Sequence, residues 1–238
     1  MFTSLTPRLI YKDPNFIALD KPAGLLVHRA GKTNEPTLAD WIIKRFPEIK
    51  KVGDEIELRP GIVHRLDRDT SGIILVARNQ KTFDYLKQLF QNHEIKKTYL
   101  ALVHGRVKLD KGEIDQPISL KPGTIKRTAF RGRGPREAIT EYKVLKRFRD
   151  FSLLELSPRT GRTHQIRVHL ASLGHAVVGD RIYGPKKIAV PRGAKRQMLH
   201  AYSLEFTPEV GHRLRLAANL PEDMRKIIRY LDPGIKSP

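Results

Sequence analysis

Gly61-Ile62-Val63-His64-Arg65-Leu66-Asp67-Arg68-Asp69-Thr70-Ser71-Gly72-Ile73-Ile74-Leu75-Val76-Ala77 sets Arg65, Asp67, Arg68 and Asp69 between two apolar runs. Ile62 and Val63 lead in and 73–77 lead out. The pattern predicts two strands, 62–67 and 73–78, around a charged turn. Residues two apart in a strand share a face. Arg65 and Asp67 therefore point one way and Leu66 the other. A carboxylate fixed beside a guanidinium at a strand end stays ionised and is presented to whatever binds there. A salt-bridged surface turn has the same local pattern, so the stretch must be weighed with the rest of the chain.

Upstream, 16–19 reads as a short strand after the Pro14-Asn15 turn, ending at Asp20-Lys21-Pro22-Ala23-Gly24. Residues 37–46 read as a helix capped by Thr37, with Leu38, Trp41 and Ile42 as its buried stripe and Pro47 as its stop. Downstream, Asn79 caps a helix to about 93, with Phe83, Leu86, Leu89 and Phe90 on one face. A strand over 98–103 follows. Residues 139–148 and 151–157 read as an antiparallel pair. Residues 164–173 read as a helix with Ile166, Leu170 and Leu173 inward, ended by Gly174. A strand at 198–206 precedes a last helix opened by Pro221, whose stripe is Met224, Ile227, Ile228 and Leu231. Strands come in groups with helices between them. The predicted class is α+β, with a central mixed, largely antiparallel sheet and flanking helices. With no internal repeat and no clear linker, 1–232 reads as one domain and 233–238 as a frayed tail.

The 238 residues include no cysteine, which removes disulfides, thiolate metal sites and cysteine nucleophiles. No run approaches the ~18 apolar residues of a membrane span, and the first ten residues lack a signal-peptide core. The reading is a soluble, cytoplasmic protein. Lys and Arg number 45 against 25 Asp and Glu, a net charge of +20. That excess asks for a polyanionic partner, nucleic acid before membrane. Two acid-free stretches concentrate it. Residues 120–136 carry Lys121, Lys126, Arg127, Arg131, Arg133 and Arg136 among Pro and Gly. Residues 186–196 carry Lys186, Lys187, Arg192, Lys195 and Arg196. Both read as flexible cationic loops gripping phosphates, with Lys126, Arg127, Arg131, Arg133, Lys186 and Lys187 as nucleic-acid backbone contacts. Such contacts give affinity without sequence choice.

His64-Arg65-Leu66-Asp67-Arg68-Asp69-Thr70-Ser71-Gly72 resembles the signature of the RluA-type pseudouridine synthases. Four further segments resemble that family in the same order: Leu19 to Leu25, with its Lys21-Pro22-Ala23-Gly24; Lys96 to Gly105, around Tyr99; Thr160-Gly161-Arg162-Thr163-His164-Gln165-Ile166-Arg167-Val168-His169-Leu170; and Met198-Leu199-His200-Ala201. The resemblance runs from about 19 to 206. It implies a pseudouridine-synthase-like catalytic domain that isomerises uridine in ribosomal or transfer RNA, with no cofactor. The bond from carbon 1′ to N1 breaks, the uracil turns, and a bond from carbon 1′ to carbon 5 forms.

By the same resemblance Asp67 is the catalytic residue. Attack on the sugar, attack on the ring and removal of a ribose proton remain open as its route. Arg167 pairs with Asp67 and keeps it charged. Tyr99 stacks on the base and could assist proton transfer at carbon 5. Ile166 and Leu199 form apolar walls. Arg65 fills the space left when the uridine is flipped out, at a cost of roughly a few kcal/mol. His64, Arg162 and His164 are further substrate-binding candidates. Long family members carry an RNA-binding domain ahead of this one. Here the Lys-Pro-x-Gly element begins near residue 20, so RNA selection is expected from the catalytic domain itself.

Two rival readings share the charge. One is a non-catalytic RNA-binding or ribosome-assembly factor, which has no use for a paired Asp. The other is a metal-dependent phosphodiesterase on Asp67 and Asp69, with which Arg65 and Arg68 compete. The histidines His64, His164, His169 and His200 lack metal-site spacing, so no metal is expected. A monomer is expected.

Overall fold

The computed structural model describes residues 5–29, 34–124, 126–130, 132–185, 188 and 190–232. They group into two compact units whose sequences interleave: Met1–Lys96 with Ala201–Asn219, and Lys97–His200 with Leu220–Pro238. Arg131, Lys186, Lys187 and the 233–238 tail lie outside the described residues.

Strands are numbered in chain order. The first unit holds β1 (Arg8–Lys12), β2 (Phe16–Lys21) and β3 (Ser71–Ala77), together with β11 (Leu199–Phe206, from Ala201 on) and β12 (Leu214–Ala217). β1-β2-β3-β11 are neighbours in that order, and β12 pairs with β11. β2 runs antiparallel to β3, from Phe16 opposite Ala77 to Lys21 opposite Gly72. All seven residues of β3 are buried, as its unbroken Ile-Ile-Leu-Val-Ala run requires of a strand covered on both faces.

Helix α1 (Leu38–Arg45) starts at a capping box. Thr37 Oγ1 accepts the Asp40 N–H, and Asp40 accepts the Thr37 N–H. Ala39 joins Leu38 and Ile42 in its buried face, where Trp41 was expected; Trp41 is half-buried. Helix α2 (Gln80–Gln91) starts at Asn79, whose Oδ1 accepts the Thr82 N–H.

The strand expected at 62–67 does not form. Only Ile62 makes an isolated bridge, to Val76. The Leu75 N–H, which a second strand's carbonyl would take, goes instead to His64 Nε2 at 2.8 Å. The side chain replaces a ladder bond and lets the backbone leave the sheet.

Gly72 has φ +118, and a Cβ there would lie 2.1 Å from Ala201 O. Gly72→Ala is expected to cost at least about 3 kcal/mol, since strain and a backbone clash combine. Gly161→Ala, where a Cβ meets nothing within 4 Å, should be nearly neutral. Paired urea melts of the two variants check this.

The second unit carries β4 (Lys96–His104), β5 (Lys111–Asp115), β9 (Ile139–Arg147) and β10 (Phe151–Pro158) in the order β4-β10-β9-β5, all antiparallel. Its core gathers Ala101, Val103, Leu154, Leu156, Ile166, Leu170, Val177 and Leu199. Helix α4 (Glu222–Leu231) buries Met224, Ile227 and Ile228, three of its four expected stripe residues.

Two expectations fail here. The described part of 120–136 is not one loose loop. It forms a second sheet in which β6 (Ile118–Leu120) lies between β7 (Arg127–Thr128) and β8 (Arg133–Arg136). In α3 (Gln165–Ser172), Leu173 is the C-cap and is 41% exposed, not inward. Residues 165–170 are all buried instead, so this helix is enclosed around its circumference and shows no single stripe. The α+β class holds, with antiparallel strand pairs and helices between them. No described helix is long and apolar enough to cross a membrane.

Candidate active site

In the first unit Asp67 opens a β-turn, closed by Thr70 N–H to Asp67 O at 3.1 Å. The turn is clamped from the Lys-Pro-x-Gly element. Arg68 O accepts both Lys21 Nζ and the Gly24 N–H, each at 2.9 Å, and Arg68 Nε donates back to Gly24 O at 3.1 Å. Lys21 is fully buried, and its ammonium also reaches Pro22 O and Leu25 O at 2.9 Å each. Three carbonyls thus offset the cost of burying that charge. The element therefore fixes the residue beside Asp67. Arg68, expected to compete for Asp67 and Asp69, instead grips Glu35, with Nη2 at 2.6 Å from Oε2.

Arg65 is exposed while Leu66, its neighbour, is buried, the expected division of faces, although the strand that was to impose it does not form. Arg65 Nη1 lies 3.3 Å from His28 Nε2. Burial, then the charges of Arg65 and Arg59, push the His28 ring below its usual pKa. A neutral ring accepts from Arg65 and steadies it. His64 is engaged with the framework: besides Leu75, its ring stacks on Phe90 with centroids 4.4 Å apart.

The second unit brings three expected residues together. Tyr99 packs against the cluster that contains Ile166 and Leu199. Around them, α3 is fastened by polar side chains one turn apart. Gln165 Nε2 donates to Ile139 O and Thr140 Oγ1, both at 3.0 Å. Its Oε1 accepts Thr160 Oγ1 at 2.8 Å and the Arg162 N–H at 2.9 Å. His169 lies 2.9 Å from both Thr140 Oγ1 and Gln116 O. The carbonyl can only accept, so Nε2 carries the proton and Nδ1 accepts from Thr140. Burial lowers the His169 pKa, in keeping with a neutral ring. Among the described residues no group of three or more His, Asp or Glu could hold a metal ion.

Arg167, between Gln165 and His169 in sequence, meets Asp180. Nε reaches Oδ2 at 2.7 Å and Nη2 reaches Oδ1 at 2.9 Å, with both side chains almost fully buried. Burial by itself would push the Asp180 carboxyl up. The Arg167 hydrogen bonds and charge, with the Ile182 and Tyr183 N–H groups, hold it below the usual carboxylate value. The Tyr183 ring faces the guanidinium, 5.1 Å from its carbon. The sequence reading missed Asp180 and Tyr183. Their signal was Arg167 itself, since a guanidinium between Ile166 and Val168 on a buried helix demands a carboxylate.

His164 adopts a left-handed conformation (φ 58) as the N-cap of α3. That costs a non-glycine residue about 1–3 kcal/mol and is met partly by its Nδ1 contact to Tyr183 OH at 2.9 Å. Arg162 Nε donates to Glu137 O at 3.0 Å. Lys97 Nζ holds Arg159 O at 3.1 Å and Thr160 O at 3.4 Å, and burial lowers its pKa to about 8.

Comparison with known proteins follows the same residues. The family model described as RNA pseudouridylate synthase matches residues 15–172, drawn from both units. A protein of Aquifex aeolicus (strain VF5), called an uncharacterized RNA pseudouridine synthase, is 40% identical over 232 residues, covering 94% of this chain and 72% of that one. The ribosomal large subunit pseudouridine synthase D of Xanthomonas campestris pv. campestris is 39% identical over 234 residues, covering 94% and 69%. Among solved structures, human RNA pseudouridylate synthase domain containing 4 superposes with a TM-score of 0.75 at 25% identity, covering 94% of this chain and 92% of that one.

Proposed function

The chain belongs to the RNA pseudouridylate synthase family, and on that premise we propose that it isomerises uridines of ribosomal or transfer RNA with Asp67 as the catalytic residue. The observation that carries this assignment is the clamped turn. Lys21 and Gly24 hold the carbonyl next to Asp67, which presets the position of one carboxylate. Isomerisation keeps every atom. Carbon 1′ exchanges N1 for carbon 5, and the proton lost from carbon 5 is balanced by one gained at N1. The route of Asp67 is attack on the sugar, attack on the ring, or removal of a ribose proton.

Tyr99 is assigned to stacking on the uracil, with Ile166 and Leu199 as apolar wall. Their shared cluster supports that grouping. Arg167 is assigned as the cation of the reaction centre, oriented by Asp180. Arg65, steadied by His28, is assigned to the place of the flipped base. Arg162, Lys126, Arg127 and Arg133 are assigned to RNA phosphates. The protein is taken to work as a cytoplasmic monomer, without metal.

The name of the Xanthomonas relative makes ribosomal RNA the first substrate to try. Transcripts of ribosomal and transfer RNA labelled with tritium at carbon 5 of uridine are incubated with the protein and a chelator. Release from either class is the expected result. Binding of both without release of tritium would leave the non-catalytic RNA-binding reading.

A further inference from the structure

We propose that the small sheet β6–β8 is a base-stacking platform for single-stranded RNA, with Phe130 as its stacking face and Lys126, Arg127, Arg133 and Arg136 as its phosphate grip. The proposal deepens the RNA-modifying reading and rests on it for the class of partner.

Phe130, in the β7–β8 connection, is 71% exposed. One exposed aromatic needs no explanation alone; its surroundings supply one. Between Asp115 and Glu137 the sequence has no acidic residue. Among the described residues Lys121, Lys126, Arg127, Arg133 and Arg136 hold no carboxylate, whereas Arg147, Arg159 and Arg196 of the same unit each do. The charge here is therefore uncompensated, which favours a polyanion over the protein's own acids.

The platform is also mounted firmly. A Cβ at Gly132 would lie 2.5 Å from Ser119 Cβ and 2.7 Å from Leu120 O, so Gly132 lies close against β6. Ala129 packs on the Ile118, Ala138 and Val168 cluster, while Phe130, whose N–H is held by Thr128 Oγ1 at 3.1 Å, is left facing solvent. Tyr183 OH accepts the Arg127 N–H at 3.0 Å and contacts His164 Nδ1 at 2.9 Å. Arg162 Nε holds Glu137 O, just past β8. The sheet is thus fastened to the 162–167 segment that carries Arg167. A fixed aromatic among uncompensated cations is the composition of single-strand binding surfaces, where stacking accepts any base and cations track the backbone.

The test measures binding of the full chain to a fluorescein-labelled, unstructured RNA of about twenty nucleotides, across a salt series. Stacking on one base supports roughly five- to 150-fold in affinity, so Phe130→Ala and Phe130→Leu should both weaken binding about tenfold. Phe130→Trp should hold or tighten it. The salt slope should stay unchanged in Phe130→Ala and fall by about one in Arg133→Gln. Wild-type affinity in Phe130→Ala, or in Phe130→Leu, would overturn stacking. So would a Phe130 dependence seen only with phosphatidylserine vesicles, which would make this a membrane contact. Phe130-dependent RNA binding by a wild type that releases no tritium would sink the isomerase reading and leave the platform standing. An active wild type whose RNA affinity ignores Phe130 would sink the platform alone.

Discussion

The Asp67→Asn variant is expected to bind RNA as the wild type does and to convert none of it. Asparagine has nearly the same shape, but its neutral amide can serve neither as nucleophile nor as base, so all three open routes close together. The turn should survive. Its closure uses Asp67 O and the Thr70 N–H, and its clamp uses Arg68 O, Lys21 and Gly24. None of these bonds involves the Asp67 carboxylate. Single-turnover tritium release should fall at least about a thousandfold, as when a nucleophile is removed, with the RNA dissociation constant hardly moved. Near-normal turnover would end the assignment of Asp67. A parallel loss of affinity would mean that its side chain also holds the fold or the RNA.

Asp180→Asn is expected to be the most destabilising of the conservative changes. Asp180 accepts from Arg167 Nε and Nη2 and from the Ile182 and Tyr183 N–H groups. An amide must turn its NH₂ toward donors in either orientation, and the buried guanidinium loses the charge of Asp180. Breaking such a pair costs about 3–5 kcal/mol, or roughly 10 °C in melting temperature for a chain of this size. The sign with pH follows from the direction of the shift. The folded Asp180 carboxyl is held below its unfolded value. The stability it supplies is complete above about pH 4 and is lost as pH falls through the folded value. The gap between wild type and variant should therefore be full at pH 7 and narrow in acid. Equal urea midpoints at pH 7 would show that Arg167 is held by other means.

Much of this could be read without coordinates because its signals are local. Thr37 with Asp40, Asn79 with Thr82, and the Ile-Ile-Leu-Val-Ala run of β3 each declare an element within a few residues. What escaped was non-local. β5, Lys-Gly-Glu-Ile-Asp, buries only Ile114 and gains its identity from its pairing with β9. β7 is only Arg127–Thr128, and β8, Arg-Gly-Pro-Arg, has the composition of a loop; β6 orders both. The strand expected at 62–67 failed for one side-chain reason, the imidazole of His64 standing in for a carbonyl. The candidate site split the same way. Asp67, Tyr99 and Arg167 were named from contiguous motifs. Asp180 and Tyr183, which orient Arg167, lie beyond the motif and had no pattern of their own to announce them.

The interleaving of the two units has a consequence for how the protein is made. Gly72 packs against Ala201, yet the ribosome adds Ala201 only after the whole 97–200 segment of the other unit. At about 5–20 residues per second, that is a delay of roughly 5–20 seconds. Throughout it, Leu75–Ala77 of β3 can already be engaged by Gly61, Ile62 and His64, while the edge around Gly72 still awaits β11, and an open strand edge is the kind that recruits strangers. The first unit therefore closes only after the 97–200 segment has been made.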